Sequence, residues 1–133
     1  MLKDFFADLH VHIGTTAEGK DVKKSAAASL TFGNIVEECV FRKGIDIVGI
    51  ADCASPGVIR DIEKLFERGN ASEIPEGGII YEKKLCVIPC AEIETSEVGD
   101  KGPCCGHVLV YLSNIDSMRE FSQIMNKYIK NIY

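Results

Sequence analysis

Two features that mark common classes of protein are missing from this sequence: an excess of positive charge and a long apolar run. Lysine and arginine number 15 against 20 acidic residues, so the formal net charge is −5. Proteins that bind a nucleic-acid backbone usually present clustered Lys and Arg, so we expect any DNA binding to come from regions absent here. No apolar stretch approaches the roughly 20 residues of a membrane span, which predicts no membrane partner.

We also expect no signal peptide, because Lys3, Asp4 and Asp8 interrupt the segment that would have to be apolar. We therefore expect a cytoplasmic location, with the six cysteines as reduced thiols rather than a disulfide framework. Apolar residues make up 46% and charged residues 26% of the 133 positions. This balance is typical of a globular protein, and the length predicts one domain, 1–133.

Hydrophobic periodicity predicts strands that alternate with helices. We predict strands at 5–13, 45–51, 79–82, 85–95 and 107–112, with loops at 69–78 and 99–106. Helices are predicted at 32–43 after the cap Thr31, from Ser55 and Pro56 to about Gly69, and after the cap Asn114. The last helix is expected to carry an apolar stripe of Met118, Phe121, Met125, Tyr128, Ile129 and Ile132. This order favours an α/β architecture with mostly parallel strands.

His10 and His12 are two positions apart on the first predicted strand, so both imidazoles are expected on one face near its carboxyl end. Paired imidazoles suit Zn, Mn or Fe. Asp52 and Cys53 end the next strand at the same expected edge, although an Asp before Ser-Pro can also simply begin a helix.

Two glutamates and the third histidine follow further along the chain. Glu92 and Glu94 alternate on one strand face after an apolar run, and a carboxylate buried there needs a cation or a donor. His107 opens the following strand, so every one of the three histidines falls at a predicted strand edge.

The segments ADLHVHIG, GIDIVGIADC, IPCAEIET and GHVLVYL resemble, in order, the first motifs of the PHP phosphoesterase superfamily. The Asp52-Cys53 pair resembles the branch that contains endonuclease Q-like proteins, in which Asp-Cys replaces the more common Asp-His. The resemblance implies a partial, TIM-like β/α barrel and two or more divalent metal ions (Zn, Mn or Fe). It implies that His10 and His12 bind one metal, Glu92 bridges two, and His107 joins the second.

From the same resemblance we expect Cys53 as a further ligand, Asp52 and Glu92 as catalytic residues, and a phosphoester, including DNA, as substrate. The sequence departs from the PHP pattern in two places. Residues 13–30 contain no histidine, although many PHP domains supply a ligand for a third metal there. PHP domains also complete the site with a late Asp-x-His pair, whereas Asp116 after His107 is followed by no histidine. A closed barrel takes about 200 residues or more, so we expect a domain incomplete at its C-terminal end. Such a half-barrel is expected to form a homo-oligomer or to recruit a complementary chain.

Three alternatives remain open at this point. The chain can be a catalytically silent metal-binding module that acts through interactions. It can be an amidohydrolase-type metal hydrolase, although Lys83 and Lys84 lie in a predicted turn where that family needs a metal-bridging lysine. A structural zinc site at Cys86, Cys90 and Cys104-Cys105 is conceivable, but adjacent cysteines suit zinc geometry poorly; Cys39 is expected in the core.

Overall fold

The structure, a computed structural model, describes residues 2–129. Six strands and three helices follow one another along these residues. The strands are β1 (Ala7–Val11), β2 (Ile47–Ile50), β3 (Ala71–Glu73), β4 (Ile79–Tyr81), β5 (Leu85–Gly99) and β6 (Gly102–Tyr111); the helices are α1 (Phe32–Glu38), α2 (Pro56–Glu67) and α3 (Ile115–Met125).

The strands form one open sheet in the order β1-β2-β5-β4-β3. β1, β2 and the first half of β5 are parallel, whereas β4 and β3 continue the sheet antiparallel. The second half of β5 leaves these neighbours and pairs antiparallel with β6. The predicted α/β class is therefore confirmed, with parallel pairing confined to three strands. The sheet of residues 2–129 is open, so these residues form no closed barrel, and the partial barrel that the resemblance implies stays a prediction.

Local signals explain where the helices begin and end. The Thr31 side chain accepts a hydrogen bond from the backbone N–H of Asn34 at the start of α1. The helix continues into a π-helical turn, Cys39–Lys43, and ends at Gly44, whose φ of 61° is the left-handed conformation that glycine adopts readily. The Asn114 side chain caps α3 in the same way, through the N–H of Ser117.

The hydrophobic core lies between the sheet and the helices. Its fully buried members are Ile13, Phe32, Val36, Val48, Ile50, Val58, Ile62, Ile79, Leu85, Val87 and Met118. Helix α2 contacts both α1 and α3. Each such side chain contributes roughly 1.5–3 kcal/mol when it leaves water, so this core fixes the strands whose ends carry the polar site.

Several sequence predictions are corrected by the structure. The predicted loop 69–78 contains β3, a segment too short and polar to show a strand period. The predicted loop 99–106 is mostly strand, because β5 and β6 pair down to Gly99 and Gly102 and leave only a two-residue turn. Helix α3 ends at Met125, and Tyr128 beyond it is 79% exposed; Ile132 lies outside the described residues.

A bulge in β1 places the first histidine. Asp8 is opposite Val48 and Val11 is opposite Ile50, so Leu9 and His10 together face only Gly49. A Cβ atom on Gly49 would lie 2.4 Å from the carbonyl oxygen of Leu9, which only glycine can accommodate. The Tyr111 hydroxyl of β6 donates a 2.8 Å hydrogen bond to that same oxygen.

None of the helices described in residues 2–129 could cross a membrane. The longest of them, α2, has 12 residues.

We predict that Gly49→Ala lowers the free energy of unfolding by about 1–3 kcal/mol, because the new methyl group forces the bulge away from β2. Urea denaturation measures this. Gly33→Ala is the matched control, since a Cβ at Gly33 meets nothing within 4 Å and alanine favours a helix by up to about 1 kcal/mol. Equal stability of the Gly49 variant and the wild type would contradict the role assigned to the bulge.

Candidate metal centre

Three side chains from two distant parts of the sequence, the end of β1 and the middle of β5, meet at one edge of the sheet. His10, His12 and Glu92 each offer one ligand atom, and these atoms lie within 4.8 Å of one another. His10 Nε2 is 3.3 Å from Glu92 Oε1, and His12 Nε2 is 3.3 Å from Glu92 Oε2. The two histidine Nε2 atoms are 3.0 Å apart. The convergence predicted for these three residues is therefore present in the structure.

Parallel pairing is the reason why they meet. β1 and β5 both lie parallel to β2, one on each side of it. Their carboxyl ends consequently point to the same edge, which is where open α/β sheets gather ligands. Backbone hydrogen bonds also join the residues that follow β2 to β5. Glu92 N–H donates to Ala51 O at 3.0 Å, and Cys53 N–H donates to Cys90 O at 3.0 Å.

Asp52 orients His12. Its Oδ2 atom lies 2.9 Å from His12 Nδ1 and accepts a 2.8 Å hydrogen bond from the backbone N–H of Ile13. A carboxylate accepts, so the ring donates through Nδ1, and Nε2 is the ring nitrogen that faces the cluster. A carboxylate on the far nitrogen is the usual partner of a metal-binding histidine, where it fixes the tautomer and the ring orientation.

Glu92 is the most enclosed member of the cluster, with 11% of its side chain exposed. Lys23 Nζ donates to its Oε2 at 2.7 Å, and His107 Nδ1 lies 3.0 Å from its Oε1. Burial by itself raises the pKa of Glu92, but the hydrogen bond and charge of Lys23, together with His12 and His107, outweigh it and lower that pKa to about 2. The carboxylate is ionised at neutral pH.

The remaining predicted residues lie around this cluster at different distances. His107 reaches Glu92 from β6, where its backbone pairs with Glu94. Glu94 is exposed and lines the neighbouring cavity instead of joining the cluster. Asp116 pairs with Arg119 at 2.6 Å on α3 and takes no part in the site.

Cys53 lies in the hydrophobic core. Its side chain has no exposed surface, and burial raises the pKa of its thiol to about 12. Cys39 and Cys90 are also buried, whereas Cys104 and Cys105 are exposed on β6. Across residues 2–129, no cysteine belongs to a group of three or more side chains that could hold a metal ion.

Sequence reasoning missed three residues of this region. Lys23 lies in the polar stretch after β1, which shows no periodicity, and its contact with Glu92 spans 69 positions. Gly49 and Tyr111 act on the backbone of Leu9, and a hydrophobic pattern does not reveal such contacts.

A cavity of about 490 Å³ opens beside the cluster. Its polar wall includes Lys23, Asp52, Glu92 and His107, and its apolar wall includes Phe121 and Met125 of α3. The ligand set of two imidazoles and one largely buried carboxylate suits Zn, Mn or Fe. The residues present therefore fit a divalent cation, and the cavity gives a small molecule access to it.

We predict that Asp52→Asn weakens divalent-metal binding by about ten- to a hundredfold, the usual cost of losing the partner that orients a metal-binding histidine. Isothermal titration with Mn²⁺ measures the affinity. Asp100→Asn in the exposed β5–β6 turn is the control and should bind like the wild type. Unchanged affinity in the Asp52 variant would remove the orienting role.

A second prediction concerns thiol reactivity. In the folded protein, iodoacetamide should modify the exposed Cys104 and Cys105 rapidly, while Cys53 should react only after denaturation because its thiol is buried and its pKa is raised to about 12. Mass spectrometry of digests over time follows each site. Modification of Cys53 at the rate of Cys104 would contradict its burial.

Comparison with known proteins gives one informative match. No protein-family model matches the chain, and no solved structure matches it. The chain is 37% identical over 132 residues to the uncharacterized protein YqxK of Bacillus subtilis (strain 168), and the match covers 99% of this chain and 33% of that protein. The chain therefore spans about a third of the length of that relative.

Proposed function

We propose that this chain carries the metal centre of a metal-dependent phosphoesterase of the PHP type. The observation that supports this best is the convergence of His10, His12 and Glu92, whose ligand atoms lie within 4.8 Å of one another although Glu92 is 80 positions from His12 in the sequence. Those three residues belong to the motifs ADLHVHIG and IPCAEIET, on which the resemblance to PHP phosphoesterases rests.

The contacts of Glu92 also support a site for two cations. Its Oε1 atom faces His10 and His107, and its Oε2 atom faces His12. As the PHP resemblance implies, His10, His12 and Glu92 would hold one cation, and His107 with Glu92 would hold another. Zn, Mn and Fe all accept such ligands. Cys53 is fully buried in the core, and its role as a further metal ligand stays a prediction.

In phosphoester hydrolysis, bound divalent cations polarise the phosphoryl oxygen and lower the pKa of a coordinated water. The protein's own residues orient the metal ligands and keep them ionised. Asp52 holds the His12 ring, which makes it a positioning residue, and its expected catalytic role stays a prediction. Glu92 supplies a carboxylate that remains ionised down to acidic pH, since its pKa is about 2.

DNA is the finer proposal for the substrate, and it rests on the endonuclease Q-like Asp52-Cys53 pair alone. The net charge of −5 gives no electrostatic support for binding a nucleic-acid backbone. DNA binding would therefore require a complementary chain or further regions, as would the late ligands that the PHP resemblance implies.

A catalytically silent metal-binding module is the second candidate. It is favoured by the ligand count, because residues 2–129 bring only three side chains into the cluster and Asp116 is engaged by Arg119. This candidate predicts metal binding without turnover.

Elemental analysis of the purified chain and hydrolysis of bis(p-nitrophenyl) phosphate with added Mn²⁺ test the proposal. We expect near-stoichiometric metal and measurable turnover, both lost in the double variant His10→Ala/His12→Ala and both retained in Cys104→Ser. Metal without turnover would favour the silent module. Absence of metal, or its loss in Cys104→Ser, would overturn the ligand assignment.

A further inference from the structure

Lys23 reaches directly into the metal centre. Its backbone N–H donates a hydrogen bond to Ile13 O at 3.1 Å. The preceding residue, Val22, is buried, and its backbone N–H donates to Gly14 O at 2.9 Å. The side chain therefore starts from a fixed point next to His12. Its side chain is 32% exposed and lines the neighbouring cavity.

The ammonium uses the lone pairs that a metal ion would need. Lys23 Nζ lies 2.7 Å from Glu92 Oε2 and 2.9 Å from His12 Nε2. Because Asp52 engages the Nδ1 atom of His12, the Nε2 atom is the acceptor of the lysine proton. One lone pair cannot accept a proton from lysine and bind a metal ion at once, so the two cations exclude each other.

We propose that Lys23 has two roles at this centre: it compensates Glu92 while no metal is bound, and it binds the anionic group of the substrate after a metal has displaced it. The first role follows from the charges alone. Without a metal, Glu92 and Asp52 leave the site with two carboxylates, and an enclosed carboxylate without a cation is costly.

The second role rests on the proposed function as well. Lys23 lines the cavity of about 490 Å³ beside the metal ligands, so a displaced ammonium has space to move into that cavity. Two cations then lie a few ångströms apart and repel each other unless an anion lies between them. A phosphoryl oxygen that touches the metal on one side and Lys23 on the other meets this requirement, because lysine binds phosphate well as a compact point charge.

Metal affinity tests the first role in the absence of any substrate. Lys23→Met removes the competing cation, so we expect Mn²⁺ to bind about tenfold more tightly, the scale of one charge-assisted hydrogen bond. Lys23→Gln should change the affinity in the same direction and guards against misfolding of the methionine variant. Lys24→Met, on the exposed neighbour, should bind like the wild type. Unchanged or weaker Mn²⁺ binding in both Lys23 variants would overturn this role.

Titration of the Mn²⁺-loaded protein with inorganic phosphate tests the second role. We expect Lys23→Met and Lys23→Gln to weaken phosphate binding about tenfold, with Lys24→Met unchanged. The two effects have opposite signs, which a general loss of structure does not produce. Equal phosphate affinity in all variants would overturn the second role.

Failure of this inference is distinguishable from failure of the proposed function. Both titrations report binding and need no turnover. If bis(p-nitrophenyl) phosphate is hydrolysed while the Lys23 variants bind Mn²⁺ and phosphate like the wild type, the roles of Lys23 are wrong and the function stands. If the two shifts occur without hydrolysis, Lys23 competes with the metal and binds phosphate as proposed, and the phosphoesterase proposal fails.

Discussion

The charge on Glu92 is the constraint around which this site is arranged. A carboxylate with 11% of its surface exposed has lost most of its water, and only donors or cations can replace that hydration. Three separate segments supply them: the end of β1 brings the paired histidines, the following polar stretch brings Lys23, and β6 brings His107. Each of these contacts depends on a different part of the fold, so the environment of Glu92 reports on the packing of the whole sheet edge.

Rigid strands determine how closely the ligands meet. β2 lies between β1 and β5 and is almost fully buried, with Val48 and Ile50 in the core. Gly49 lies between them and admits the bulge that carries His10. A site that depends on atoms 3 Å apart needs such support, because small displacements of ligands cost much of the metal affinity.

The sequence was sufficient for the parts of this arrangement that follow from local patterns. Alternation in β1 and the apolar runs of β2 and β5 predict strands whose ends share an edge, and the convergence of His10, His12 and Glu92 follows from that. Lys23 was not predictable, since nothing in its own segment shows that it faces a residue 69 positions away. The β5–β6 pairing was missed because Pro103 and the glycines around it are typical of turns, whereas backbone pairing with β5 continues past them.

The two sides of the centre differ in how firmly they are held. His12 and Glu92 are each next in sequence to a buried core residue, Ile13 and Ala91 respectively, whereas His107 lies on a two-stranded ribbon whose residues 94–101 and 103–107 are exposed. Two-stranded ribbons have little stability of their own, and segments with few buried contacts open most readily. Bending of the ribbon would change the distance between His107 and Glu92 without disturbing the three-residue cluster. Because the ribbon has few buried contacts, we expect this side of the centre to open before the three-residue cluster does.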